Sequence, residues 1–220
     1  FFSNFKGKNT IFLILLIPIV IVISFGILRY NNKILLKNTD QLITIVQPNI
    51  KQKNKWILKN REKHLNELLE LSIKYRDNFN NKNRIIIWPE TSFEGSIPNE
   101  TKLLSNISKK ILKNKNTTLI LGLLRTDEKK VFNSLVFLNS EGDIIHNYDK
   151  IKLVPFGEYI PFRKYLSALT DMLVPKDFTS GKFKSNPTVY GFENIITLIC
   201  YEILFTNEIV KRLSKNTNLL

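Results

Sequence analysis

Three residues of different chemistry stand where runs of apolar, β-branched residues end. Glu90 follows "RIIIWP", Lys150 follows "DIIHNYD", and Cys200, the single cysteine, closes "NIITLIC". A carboxylate, an ammonium and a thiol form a complete set for acyl transfer. A free thiol, with a pKa of ~8.5, is only slightly ionised at neutral pH and needs a base, which a carboxylate supplies. A lysine holds the negative oxygen of a tetrahedral intermediate, and one such donor is typically worth roughly 3–4 kcal/mol. Each residue also has a plainer reading. Glu90 fits a helix cap or a solvated carboxylate, Lys150 is one of 33 basic residues, and Cys200 ends an apolar run where cysteines commonly pack inertly. Spacing alone does not make the three converge.

The elements that must position them alternate in period. "LITIVQPNI" predicts a strand ended by Pro48. "WILKNREKHLNELLELSIKYRDNF" predicts a helix with Leu65, Leu69 and Ile73 at i, i+4 spacing and Leu68, Leu71 and Tyr75 beside them. "RIIIWPE" predicts a strand stopped by Pro89, and a helix is expected over roughly 100–114. "TTLILGLLR" reads as a strand, and "VFNSLVFLNSEGDIIHNYDK" as a hairpin turning at "SEGD". Residues 155–187 are irregular and rich in Pro, Phe and Tyr. "NIITLIC" reads as a strand, and "TNEIVKRLSKN" as a helix with Thr206 at its N-cap. Alternating strands and helices with a hairpin predict a layered α/β domain with a mixed sheet. "RIIIW" and "NIITLIC" are apolar on both faces, as central covered strands are. The ends of strands in such sheets are where sites usually sit.

The totals narrow the field. At 220 residues the chain has room for one sizeable domain and something extra, and 43% apolar content supports a core. Its charge of +14, from 33 basic and 19 acidic residues, is spread along a sequence rich in Lys, Asn and Ile rather than clustered, which reads as compositional bias. One cysteine excludes an internal disulfide. His64 and His146 are far apart, with no C-x-x-C or H-x-x-x-H spacing, so no zinc site is expected and both are placed on the surface. Residues 11–28, "IFLILLIPIVIVISFGIL", carry no charge. As a helix they span about 27 Å, close to the apolar thickness of a bilayer, and Pro18 is tolerated there. "RYNNKILLKN" follows in place of a small-residue cleavage site, which favours a retained transmembrane helix over a signal peptide. Basic residues flank the run on both sides and do not orient it. The chain opens on "FFSNFKGKN", and further sequence upstream is expected.

Three motifs together, "WPE" at 88–90, "YDKIKLVPFGEYIP" at 148–161 and "CYE" at 200–202, resemble the nitrilase or carbon–nitrogen hydrolase superfamily. "KLVPFGEYIPFR" after an apolar span resembles its apolipoprotein N-acyltransferase branch. The resemblance covers about residues 40–205. It implies an α-β-β-α sandwich with mixed sheets, preceded by a transmembrane helix, with residues 1–38 holding the helix and 39–220 the catalytic domain. By position it makes Glu90 the general base, Lys150 the oxyanion lysine and Cys200 the nucleophile. Lys152 occupies the variable place of the same motif. Glu158, Tyr201 and Glu202 match supporting residues. Trp56 and Asn133 fall where substrate-binding residues are expected, although a helix staple, a turn residue and, for Tyr201, a core aromatic are the plainer alternatives. That family has more membrane helices and continues past the nucleophile, so this chain reads as an interior piece lacking the last part of the sandwich.

The chemistry the resemblance implies is a ping-pong reaction without cofactor or metal. Cys200 takes an acyl chain from a phospholipid as a thioester and passes it to the amine of a diacylglyceryl-cysteine on an apolipoprotein. The implied setting is the bacterial inner membrane, with the domain facing the periplasm; no nucleic acid partner is implied. Phe156, Tyr159, Phe162 and Tyr165, with Arg163 and Lys164 between them, fit an arm touching the membrane or aromatics packed under a long loop. Two rival readings are a membrane-tethered amidase using the same three residues, and a membrane-anchored basic protein that binds lipid or nucleic acid with Cys200 structural. The last predicts steep salt dependence.

Overall fold

The computed structural model describes residues 3–31, 40–55, 57–74, 83–92, 96–97, 100–112, 115–163, 177–217 and 219, the side chains of 3–11, 13, 31, 52, 96 and 97 excepted. The chain divides into two units, Phe1–Thr39 and Asp40–Leu220.

The first unit holds one helix, α1 (Ser3–Asn31), with Pro18 inside it and Arg29 in its last turn. Its unbroken run of described side chains is 14–30, almost all of them exposed and apolar as far as Leu28. Among the described residues no helix is long and apolar enough to cross a membrane. The span expected over 11–28 therefore stands on its sequence, of which the described side chains cover only part.

The second unit is built on one mixed sheet. Strands β1 (Gln41–Ile45), β2 (Asn83–Ile87) and β4 (Thr117–Asp127) run parallel, and β4, β5 (Lys130–Leu138) and β6 (Ile144–Asp149) run antiparallel, in the order β1-β2-β4-β5-β6. A short β3 (Ser96–Ile97) pairs with the far end of β4. The register sets Ile43 beside Ile85, Ile86 beside Leu119, and Ser134 beside Asp149. Period-2 alternation then sorts the side chains. One face carries Ile86, Trp88, Leu119, Leu121, Leu123, Val136 and Leu138, packed on Leu68 of α3 (Arg61–Ile73) and on Leu104, Ile107 and Ile111 of α4 (Thr101–Ile111). The other carries Ile85, Ile120 and Phe137, covered by Val189, Phe192 and Ile195. The expected sandwich is thus met by one sheet with helices on one face, and one sheet is assigned among the described residues.

Several expectations are corrected. The long helix begins as a 3-10 turn, Leu58–Asn60, before α3, and Trp56 and Tyr75 lie outside the described residues. Its buried stripe is His64, Leu68 and Ser72, with Leu65, Leu69 and Leu71 partly buried and Ile73 exposed. His64 is therefore a core residue, one turn before Leu68 on the same face. His146 is half-buried, its ring edge-on to Phe137 at 5.4 Å, and burial depresses its pKa. "NIITLIC" is assigned to no strand among the described residues; Ile195 N donates to Pro187 O at 2.8 Å and Ile196 N to Leu219 O at 3.0 Å. Thr206 is the first residue of α5 (Thr206–Arg212); Phe205 sits at the cap with no side-chain bond.

One polar cluster ties the antiparallel strands at their ends. Arg125 Nε and Nη2 donate to the two oxygens of Asp149 at 3.0 and 2.8 Å, and Ser134 Oγ donates to the same carboxylate at 2.6 Å. Burial by itself would raise the Asp149 pKa; the Arg125 and Ser134 hydrogen bonds outweigh it and hold the carboxyl below its ordinary 3.8. A depressed folded-state pKa gives stability that is present above the unfolded value and lost as pH falls through the folded one. Arg125→Met should cost about 2 kcal/mol at pH 7, a buried-pair loss reduced by the partial exposure of Arg125. Urea unfolding between pH 5 and pH 3 should show a smaller acid-induced loss in the variant than in the parent.

Candidate active site

The turn after β2 carries Glu90, and the neighbouring strand decides its path. A Cβ on Gly122 of β4 would stand 2.6 Å from Glu90 Cα, 2.7 Å from Thr91 N and 2.8 Å from Pro89 O. Only a glycine lets the Pro89–Glu90–Thr91 turn cross there. Ser92 fastens it by donating its N–H (2.8 Å) and its hydroxyl (2.9 Å) to the Gly122 carbonyl. Thr91 takes a positive φ of 44°, a conformation that costs a β-branched residue energy.

Lys150 leaves the end of β6 with its side chain 1% exposed as a residue. Its Nζ donates to Glu158 Oε1 at 2.9 Å. The other oxygen of Glu158 accepts the N–H of Val154 at 2.9 Å, and Val154 O in turn accepts the N–H of Glu158. Asn133, inside β5, joins this pair to the first turn: its Nδ2 donates to Glu158 Oε1 at 3.0 Å and to Glu90 Oε1 at 2.6 Å. A continuous chain Lys150–Glu158–Asn133–Glu90 results. Asn133 is buried mid-strand, not in a turn, and its Oδ1 is a buried atom with no hydrogen-bond partner among the described residues. Lys152, two residues on, is exposed over the ring of Phe205.

Cys200 opens a 3-10 helix, Cys200–Leu204, at a positive φ of 55°, and is exposed. The segment before it is extended at Ile199, so the chain bends sharply at the thiol. Glu202 holds this bend from within. It is buried and accepts the Tyr148 hydroxyl at 2.9 and 3.0 Å, the N–H groups of Ile151 (2.8 Å) and Lys152 (3.0 Å), and that of Ile199 (2.8 Å). Burial first, then the Glu202 charge, raise the Tyr148 pKa, so its proton stays on the donating oxygen. Glu202 thereby locks the Cys200 turn to the chain just after Lys150. Tyr201 points outward, exposed rather than packed in the core.

Glu90 and Cys200 line one cavity of about 500 Å³, walled by Ile87, Ile120, Leu135, Ile196, Ile199 and other apolar residues. Lys150 is not in that lining and reaches Glu90 through Glu158 and Asn133. The site thus sets Cys200 and Glu90 in the wall of one mostly apolar cavity, with the buried Lys150 ammonium linked to Glu90 through Glu158 and Asn133. Among the described residues no three of His, Cys, Asp and Glu group as metal ligands would. Trp56 lies outside the described residues, as do Lys164 and Tyr165. Phe156 and Phe162 are exposed at positive φ, and Arg163 pairs with Asp177 at 2.7 Å. Sequence reasoning missed Lys55, whose ammonium donates to the Glu90 carbonyl oxygen at 3.1 Å and the Thr91 hydroxyl at 2.8 Å.

With that geometry in view, residues 42–220 match the family model described as carbon-nitrogen hydrolase. The chain is 32% identical over 181 residues to an apolipoprotein N-acyltransferase of Allorhizobium ampelinum, across 78% of this chain and 34% of the relative. It is 30% identical over 220 residues to one of Wigglesworthia glossinidia brevipalpis, across 97% of this chain and 43% of the relative. It therefore spans well under half of these relatives. A glutamine-dependent NAD+ synthetase from Acinetobacter baumannii shares the fold, with a TM-score of 0.50 at 17% identity, over 72% of this chain and 29% of that one.

Replacing Glu202 by Gln turns an acceptor of five contacts into one that must present an amide to donors. The change should cost about 3 kcal/mol, the upper part of the range for leaving buried donors unpaired. Hydrogen exchange should speed up at the amides of Ile151, Lys152 and Ile199 beyond the rise at distant core amides.

Proposed function

Because the chain belongs to the carbon–nitrogen hydrolase family, we propose that it forms a covalent thioester on Cys200 and transfers the acyl group to an amine, as the catalytic part of an apolipoprotein N-acyltransferase. The observation that carries this reading is the shared, mostly apolar cavity lined by Cys200 and Glu90. An apolar space beside a thiol suits an acyl chain better than a small polar amide. The names of the relatives support the same reaction class.

In this reading Glu90 takes the thiol proton as Sγ attacks the ester carbonyl of a phospholipid. The S–C bond forms, Lys150 stabilises the oxyanion, and the ester C–O bond then breaks as Glu90 returns the proton to the departing lysophospholipid oxygen. In the second half the α-amine of a diacylglyceryl-cysteine attacks the thioester. The N–C bond forms, the C–S bond breaks, and Glu90 carries the amine proton back to sulfur. Glu158 and Asn133 keep Lys150 and Glu90 in register, while Glu202 fixes the bend at Cys200. Trp56 is assigned to substrate contact, and no cofactor enters the scheme.

A membrane setting belongs to the proposal. Residues 11–28, uncharged within a single helix, act as a transmembrane anchor. The bulk of the chain faces the periplasm of a bacterial inner membrane. Exposed Phe156 and Phe162 beside Arg163 suit the bilayer interface, where aromatic rings and cationic heads sit together.

Intact-mass spectrometry of the protein held in phospholipid vesicles checks the first half-reaction. Cys200 should carry an acyl mass that hydroxylamine removes, and Cys200→Ser should carry none. Release of free fatty acid without a detectable adduct points to hydrolysis and counts against transfer. Glu90→Gln should slow adduct formation by about a hundredfold, a typical lower bound for losing a general base.

A further inference from the structure

The end of β1 sends a second charged side chain to the Glu90 turn. Val46 N continues the β1–β2 pairing with a 2.9 Å bond to Ile87 O. Past Pro48, Asn49 turns the chain at a φ of +54°, and α2 (Gln52–Lys55) follows. Gln47, Pro48, Asn49 and Pro89 wall a pocket of about 210 Å³ that also receives Lys55. There the ammonium is half-buried, and it donates to two atoms of the turn that carries Glu90: the Glu90 carbonyl oxygen at 3.1 Å and Thr91 Oγ1 at 2.8 Å.

We propose that Lys55 is a positioning residue that fixes the Glu90 turn in its working conformation, an inference that rests on reading Glu90 as the base for Cys200. The turn needs such a hold. Thr91 is β-branched and sits at positive φ, so without an external partner the turn has reason to relax. On the β4 side the turn is tied to Gly122, whose N–H donates to Pro89 O at 3.3 Å and whose carbonyl accepts the Ser92 N–H at 2.8 Å. Asn133 holds the Glu90 carboxylate at 2.6 Å. Lys55 supplies the remaining restraint, on the main chain itself. It does so as a charged donor, which makes stronger hydrogen bonds than a neutral one. Burial lowers the Lys55 pKa, and the Glu90 charge counters that in part, so the two groups sense one another as well as sharing a turn.

Because the chain has one cysteine, alkylation by iodoacetamide reads a single site and needs no lipid substrate. The rate is measured against pH for the parent, Glu90→Gln, Lys55→Met, Lys55→Arg and Thr91→Val, with thermal melting of each. Glu90→Gln should alter the pH profile and cut the neutral-pH rate at least about tenfold. Lys55→Met should shift the profile in the same direction by a smaller amount, about threefold to fivefold in rate. Lys55→Arg should restore the parent's profile. Thr91→Val, which removes one Lys55 acceptor at constant size, should fall between, and it replaces Lys55→Met if that variant does not fold. A Lys55→Met profile (or the Thr91→Val one standing in for it) superimposed on the parent's, with Glu90→Gln still altered, overturns the role of Lys55 alone. A shifted profile that arginine does not restore overturns it as well. A Glu90→Gln profile identical to the parent's removes the base reading itself.

Discussion

A lysine ammonium taken out of water has to be paired, and the pairing of Lys150 organises everything near it. Desolvating such an ion costs several kcal/mol even after relaxation. Glu158 answers the charge at 2.9 Å, and its own second oxygen is used on the backbone of Val154. The shared oxygen also accepts from Asn133, which spends its other contact on Glu90. One buried charge thus sets the positions of two carboxylates and an amide drawn from three separate stretches of chain. Removing Glu158 would leave the Lys150 ammonium without this carboxylate and Asn133 without one of its two acceptors.

The second constraint is room for backbone to cross backbone. Gly122 admits the Glu90 turn over β4, and Gly181 admits the strap 177–182 over the end of β6, where a Cβ would lie 2.1 Å from Asp149 O. Gly181 N then donates to Lys150 O at 2.8 Å. The Glu90 turn and the end of β6 beside Lys150 are therefore both placed by main chain packed against main chain. Glu202 completes the arrangement from the other side by gathering donors from residues 148–152 and from Ile199.

The parts of this structure that follow a regular period were legible in the sequence. "RIIIW", "TTLILGLLR" and the hairpin around "SEGD" form strands where alternation and turn residues predict them. The apolar run before Cys200 misleads for a physical reason: period and composition report burial, and most of 195–199 is buried, but no ladder partner is assigned to it among the described residues. His64 was misplaced because a polar residue on a helix stripe is read as solvated until its neighbours are known. Glu90, Lys150 and Cys200 stand out in the sequence as candidates at the ends of apolar runs; the linkage of Lys150 to Glu90 through Glu158 and Asn133 does not, because it joins residues far apart in sequence. Lys55 was hidden by composition, one lysine among many in "KQKNK". Two signals remained available, its place just past a turn after β1 and its distance of one residue from Trp56.

In the proposed reaction the buried ammonium, the Glu90 carboxylate and the Cys200 thiol serve a single acyl group. The most direct test is a crystal structure of the protein acylated on Cys200. The account predicts the thioester carbonyl oxygen within about 2.7–3.1 Å of Lys150 Nζ, the acyl chain in the apolar cavity, and the Glu90 carboxylate against the sulfur. A thioester oxygen turned to solvent, with Lys150 still enclosed by Glu158 and out of reach, contradicts it.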